Sequence, residues 1–263
     1  MSSIDIYDLD GKPKGKMALP KVFEVRLRPD VISKTVIAIQ SHRFQPQGRD
    51  PMAGKRTTAE TVGVGKKLSR IPRVKGERHP RAGSGAFAPS TVGGRLTHPP
   101  NPQKRLRKRS NKRESSLALA SAIAATANKE IVQRRGHRID AVPSLPLVIG
   151  DDIEGVKETK DAKELLKKLG LWNDVERVIG SIKRRSGRAS LRGRGRKMAR
   201  GPLIVCVEDR GMISAFRNIP GVDTVRASDL NVEHLAPGTH PGRLTLWTES
   251  AVKAIDHRLK GGA

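Results

Sequence analysis

The sequence predicts an α/β fold: one globular domain with a mainly parallel sheet covered by helices, interrupted by a long basic irregular loop and by a second basic segment. Three observations carry this. Short apolar runs, "LPLVIGDD" (145–152), "LIVCVED" (203–209), "VDTVRAS" (222–228) and "RLTLW" (243–247), alternate with segments of helical spacing. Strands that read as continuous apolar runs are those buried on both faces, as in a parallel sheet between helical layers. Nearly all the net positive charge, +24 of +26, lies in two stretches, and neither has the period of a helix or a strand.

Along the chain, "IDIYDLDGKP" alternates Ile4 and Ile6 and then meets Asp10-Gly11, a strand followed by a hairpin turn. "KVFEVRL" offers Val22, Val25 and Leu27 to a less regular strand. From Asp30, read as an N-cap, Ile32, Val36 and Ile39 recur at helical spacing up to about Arg43. Asn111 and Glu114 have the capping-box spacing ahead of "LALASAIAATANKEIV". One helix is expected there, with a stripe of Leu117, Ala120, Ala124, Ala127 and Ile131 and with Gly136 at C′. Helices are also expected over "DAKELLKKLG" (161–170), over "GMISAFRN", and over "TESAVKAIDHRLKGG" with Thr248 as N-cap. The globular domain is therefore discontinuous, 1–43 with 101–263.

The 263 residues include 52 Lys+Arg and 26 Asp+Glu, a net charge of +26. Residues 44–113 hold 18 basic and 3 acidic residues; residues 183–202 hold 9 basic and no acidic ones. The final segment, 203–263, balances at 7 of each. Such a footprint calls for a polyanion, and nucleic acid first. The interruption at 44–100 covers 57 residues, far beyond an ordinary loop. Ordering it would cost about 60–110 kcal/mol at about 1–2 kcal/mol per residue. Its large apolar side chains are few and scattered, so it is expected to be mobile when free and ordered by a partner. As a hairpin it could reach at most roughly 90 Å, which suits penetration into a folded nucleic acid.

Other chemistries find little support. No apolar run reaches about 18 residues, and "MSSIDIYDLDG" lacks the basic start and apolar core of a signal peptide. No membrane association is expected. The single Cys206 excludes an internal disulfide and a multi-Cys zinc site, fits a reducing cytoplasm, and reads as a small buried apolar residue. "TVGVGKKLS" lacks the leading Gly of a phosphate-binding loop, and no strand precedes Gly83-Ser84-Gly85. Seven His residues show no metal spacing. Asp151 and Asp152, at a strand end, read as turn and cap carboxylates. No catalytic residue, metal or cofactor is expected. Within the nucleic-acid reading, the cations lie on Gly-rich irregular backbone rather than on a groove-reading helix. Aromatic residues make up 3%, too few for base-stacking platforms. Shape and phosphate recognition of a folded RNA remains. An RNA-modifying enzyme with basic arms would need a cofactor or metal pocket. An architectural DNA-binding protein would hold duplex DNA as tightly as a folded RNA at equal salt.

The run "RIPRVKGERHPRAGSGAFAPSTVGGRLTHPP", followed by "SLALASAIAATA", resembles the large-subunit ribosomal protein family L-four, in its archaeal and eukaryotic branch. The matching elements are Arg70-Ile71-Pro72-Arg73, Gly83 to Phe87, Gly93-Gly94-Arg95 and Ser121 to Ala127. The order of α/β elements agrees along nearly the whole chain, and the basic balance argues against an extreme halophile. The resemblance implies a structural constituent of the large ribosomal subunit that binds its RNA early in assembly. It further implies cytoplasmic ribosomes and neighbouring ribosomal proteins, including one of the L-twenty-two family. The loop tip, about 70–95, would help form the exit-tunnel constriction and meet the nascent peptide. No homo-oligomer is implied.

The RNA-binding residues expected in the first basic stretch are Arg49, Lys55, Arg56, Lys66, Lys67, Arg70, Arg73, Lys75, Arg78, Arg81, Arg95, Lys104, Arg105, Arg107, Lys108 and Arg109. In 183–202, expected to be a basic loop, they are Lys183, Arg184, Arg185, Arg188, Arg192, Arg194, Arg196, Lys197 and Arg200. Gly83, Ser84, Gly85, Ala86, Phe87, Gly93 and Gly94 would supply close-approaching tunnel-loop backbone, with a side chain at Gly85 adding bulk and backbone strain.

Overall fold

The computed structural model describes residues 3–260. Its strands, in chain order, are β1 (Ser3–Tyr7), β2 (Pro13–Ala18), β3 (Leu147–Ile149), β4 (Lys183–Arg184), β5 (Arg196–Lys197), β6 (Leu203–Cys206), β7 (Asp223–Arg226) and β8 (Thr245–Thr248). Its helices are α1 (Pro29–Ser41), α2 (Lys112–Ala127), α3 (Lys129–Arg134), α4 (Thr159–Lys168), α5 (Trp172–Gly180), α6 (Arg188–Leu191), α7 (Met212–Arg217), α8 (Val232–Leu235) and α9 (Glu249–Lys260), with short 3₁₀ turns between. The chain divides into two compact units: one runs up to Ser41 and resumes at Lys108, and the other is His42–Arg107.

The first unit is built on a six-stranded sheet of order β2-β1-β3-β8-β6-β7. The β1–β2 hairpin is antiparallel and every other pairing is parallel. Strands β3, β6 and β8 are buried at every position, as the continuous apolar runs require. Alternate residues serve two cores. Val148, Leu203, Val205 and Trp247 pack with Ile32 and Val36 of α1 and Ala122 and Ile123 of α2. Leu147, Ile149, Ile204 and Leu246 pack with Leu166 of α4, Val175 of α5 and Phe216 of α7. The exposed edge strand β2 carries Lys14 and Lys16, charges that discourage edge pairing with another chain.

Several local expectations need correction. Residues 21–24 form a 3₁₀ turn rather than a strand. Val22 and Phe23 are both buried outside the sheet, and the Phe23 ring meets Trp247 edge-on at 5.8 Å. Helix α1 begins at Pro29, so Asp30 lies inside the first turn, paired with Arg28 at 2.8 Å, instead of capping it. The expected single helix from 112 onward breaks at Asn128, whose side chain accepts the Glu130 and Ile131 N–H groups and so caps α3. Gly136 follows α3 with φ +97°. At the start of α2 the Asn111 side chain makes no capping bond, and Glu114 takes Lys34 at 2.8 Å. The buried face of α2 is wider than the stripe, covering Ala118, Leu119 and Ser121 to Thr126, while Leu117 is exposed. Thr248 does cap α9, accepting the Ala251 N–H at 3.2 Å. Gly261 and Gly262, the end of the expected closing segment, lie outside the described residues.

Candidate nucleic-acid interface

Both basic stretches make main-chain hydrogen bonds of their own, and most of their cations are exposed. Residues 183–200 form an antiparallel hairpin instead of an irregular loop: Lys183 pairs with Lys197 and Arg184 with Arg196, and Arg185 N–H donates to Gly195 at 2.8 Å. Short helix α6 makes its tip. Every one of Lys183, Arg184, Arg185, Arg188, Arg192, Arg194, Arg196, Lys197 and Arg200 is exposed, and Leu191 at the tip is 86% exposed. Backbone pairing explains how so polar a segment keeps a shape, since main-chain bonds need no apolar core.

The hairpin is fastened at its base by buried charge that the sequence reading passed over. Ser181 Oγ accepts the Ala199 N–H at 2.9 Å. Arg177 donates to the Arg200 carbonyl at 2.9 Å and to Asp174 at 2.8 Å. Asp174, fully buried, also accepts from His137 Nδ1 at 2.9 Å and from the Arg138 N–H at 3.0 Å. Burial alone would raise the Asp174 carboxyl, but the hydrogen bonds from His137 and Arg177 hold it below its ordinary value. Burial pushes the His137 imidazole down, against the pull of Asp174. Arg243, 1% exposed, donates Nε to Gly201 O at 2.8 Å, Nη1 to His234 O at 3.0 Å and Nη2 to Asp223 at 2.6 Å. A buried polar residue inside an apolar run hides helices as well: Asp174 interrupts the stripe of α5, a helix that the sequence reading missed.

In the second unit, Arg49, Lys55, Arg56, Lys66, Lys67, Arg70, Lys75, Arg78, Arg81, Lys104, Arg105 and Arg107 are exposed, while Arg73 and Arg95 are half-buried. Lys108 and Arg109, exposed, open the return to the first unit. Asp50 pairs with Arg56, and Glu60 with Lys75 at 2.5 Å. The three acids of this stretch cannot neutralise its cations, so a strong positive field remains. Arg73 and Arg81 turn inward and brace the tip, donating to Gly83 O at 2.9 Å and Val92 O at 3.1 Å.

The tip is folded by its main chain. Arg73 bridges to Glu60 on one side and to Gly85 on the other. Gly83 N–H donates to Val74 O and Ala86 N–H to Pro72 O. Ala86 is buried; Phe87 is exposed at a positive φ of 65°. Gly85 corrects one expectation: its φ is not positive, and a Cβ there would lie 2.9 Å from Thr91 Cγ2, so a side chain would add bulk that Thr91 must move to admit, without backbone strain. Positive φ falls instead at Gly83, +71°, and at Gly93, +75°, as well as at Phe87. Gly94 is the tightest position: a Cβ would fall 2.0 Å from the Ala88 carbonyl oxygen.

Enzyme-like features resolve into structural ones. Asp151 accepts the Ser250 N–H at 2.9 Å at the start of α9, and Asp152 pairs with Lys14 at 3.1 Å. Buried Glu154 accepts the Val207 and Glu208 N–H groups at 2.9 and 3.2 Å, closing the sheet end where α/β enzymes keep their chemistry. Among the described residues no His/Cys/Asp/Glu group could hold a metal ion, and no helix is long and apolar enough to cross a membrane.

With this geometry in hand, the chain was compared with known proteins. The sequence profile described as "Ribosomal protein L4/L1 family" matches residues 17–258. The protein named large ribosomal subunit protein uL4 of Methanosphaera stadtmanae is 46% identical over 255 residues, covering 97% of this chain and 96% of its own. The protein of that name from Methanococcus vannielii is 47% identical over 256 residues, covering 97% and 99%. That from Saccharolobus islandicus is 45% identical over 255 residues, covering 97% and 94%. These matches span both basic stretches, and the chain belongs to the Ribosomal protein L4/L1 family, in its archaeal and eukaryotic branch.

Proposed function

We infer that this chain is a structural, RNA-binding constituent of the large ribosomal subunit that acts in subunit assembly and translation; as a ribosomal structural protein it is not an enzyme. The observation that carries the reading is the placement of charge. The two basic stretches hold nearly all the net charge, and they present it on backbone shaped by its own hydrogen bonds. Such surfaces gain most of their affinity from phosphate neutralisation and counterion release. Large-subunit ribosomal RNA is the partner, with neighbouring ribosomal proteins around it, and the ribosome is where the chain resides.

The finer reading concerns residues 44–100. This stretch acts as an RNA-penetrating extension, and its tip, about 70–95, contributes to the constriction of the nascent-peptide tunnel beside a protein of the L-twenty-two family. The Arg and Lys side chains hold phosphates, while the Gly-rich Gly83–Phe87 and Gly93–Gly94 backbone brings the main chain near RNA or lumen. Support comes from the family membership and from glycines whose neighbours leave no room for a Cβ. Reconstitution with a chain lacking 70–95 tests it. The expected result is normal incorporation with a widened constriction and an altered response to stalling peptides. Failed incorporation, or an unchanged constriction, would contradict the tunnel role.

A further inference from the structure

The first unit holds a cleft of about 750 Å³ at the base of the basic hairpin, lined by Arg134 and Arg135 at the end of α3, Arg177 of α5, Arg200 and His240. Leu27, Pro29, Ile131 and Pro241 give it an apolar wall. The nearby carboxylates are already engaged. Asp174 serves His137, Arg138 and Arg177; Asp223 serves Arg243 and Arg200. No carboxylate among the described residues pairs with Arg134 or Arg135. Arg135 gives Nη2 to the Pro237 carbonyl at 3.0 Å, while its Nη1 is buried with no hydrogen-bond partner. Burial, with Arg243 and Arg177 near, lowers the Arg135 guanidinium to about 10, so it stays cationic at neutral pH. A cationic group left without an acceptor costs stability unless an anion supplies one.

We propose that this cleft seats a backbone phosphate of RNA, with Arg134 and Arg135 as its binding residues and the apolar wall against the adjoining ribose. An arginine fork matches phosphate oxygens in plane, and an apolar wall suits a sugar face better than it suits bulk anions. The assignment rests on the RNA-binding role argued above and adds a contact site on the globular unit whose two binding residues, Arg134 and Arg135, lie outside both basic stretches. It also gives the buried base of the hairpin a purpose: Arg177 and the Arg200 carbonyl hold the hairpin strand against the cleft, so one RNA segment can touch both.

The test uses the full chain, large-subunit ribosomal RNA, and the variants Arg134→Gln, Arg135→Gln and the double variant. Binding is measured between 50 and 200 mM salt. Each variant should have a slope of log affinity against log salt shallower by about 0.7–0.9, so that raising the salt costs it about threefold less affinity than it costs the native chain. An unchanged slope in both single variants, with the native chain still binding, would overturn the proposal. Failure of the native chain to prefer ribosomal RNA over a generic duplex would instead overturn the RNA-binding role itself. Should Arg135→Gln unfold in a melting experiment, exposed Arg134→Gln decides alone. Inorganic phosphate is the second probe. At millimolar concentration it should leave the melting temperature unchanged; a saturable rise lost in Arg134→Gln, with equal RNA slopes, would make the cleft a free-anion site and refute the RNA assignment.

Discussion

Arg243 and Asp223 meet at 2.6 Å, with the guanidinium buried and its remaining nitrogens spent on the carbonyls of Gly201 and His234. This pair ties β7, the segment leading into β8, and the chain leaving the basic hairpin into one polar knot. Arg243→Met would leave those carbonyls without donors and strip Asp223 of its shortest partner. Asp223, partly exposed, keeps Arg200, so the expected destabilisation comes from the charged donors lost at the two carbonyls, about 1.5–3 kcal/mol each. Urea unfolding of the variant checks it; a loss below about 1 kcal/mol would show the knot to be dispensable.

Acidification should weaken the fold in two stages through His137 and Asp174. The folded His137 pKa lies below its ordinary 6.5, so the unfolded chain binds its proton first and stability falls as pH drops below that value. The folded Asp174 pKa also lies below its ordinary 3.8; its contribution is complete above that value and is lost as pH falls through the folded one. Arg177 and Arg135, close by, add to the cost of a protonated imidazole. His137→Gln should flatten the first stage, measured as unfolding free energy between pH 7 and pH 5. An identical profile would contradict the assignment.

The tip glycines make unequal predictions. Gly94→Ala forces a contact with the Ala88 carbonyl and with Thr91 Oγ1 and should rearrange the tip. Gly83→Ala meets open space and carries only the backbone penalty at φ +71°, about 1–2 kcal/mol. Limited proteolysis should cut within residues 70–95 far faster in the Gly94 variant than in the Gly83 variant. Equal rates would mean that the close approach is not maintained in solution.

Cys206 should be chemically silent in the folded protein. Burial, with Glu154 and Asp209 adding to it, pushes its thiol up to about 11, and the side chain sits inside β6. A thiol-specific reagent should react only at the rate of unfolding; rapid labelling under native conditions would contradict this placement.

The parallel sheet was legible because β3, β6 and β8 are buried on both faces, a condition that writes uninterrupted apolar runs into the sequence. The turn at Asp10-Gly11 and the Thr248 cap were legible because local chemistry decides them. What escaped depends on partners distant in sequence. Val22 and Phe23 form a 3₁₀ turn because Trp247, over two hundred residues on, receives the ring. Helix α5 was hidden by Asp174, a buried carboxylate that makes sense only beside His137 and Arg177. The hairpin shape of 183–200 was hidden because backbone pairing leaves no apolar signature. Among the cations, composition pointed to the two exposed stretches but not to Arg134 and Arg135, whose character comes from the cleft around them.

The central claim, that the exposed cations of the basic stretches are the RNA contacts, is tested most directly by salt dependence. Replacing Arg184, Arg185, Arg188, Arg192, Arg194 and Arg196 with Gln keeps the main-chain pairing of the hairpin and removes six charges. Affinity for large-subunit ribosomal RNA is then followed from 50 to 200 mM salt beside the native chain. The account predicts a slope shallower by about 4–5, from about 0.7–0.9 for each phosphate no longer neutralised. A slope equal to that of the native chain would show these arginines to be solvated only, and would contradict the account.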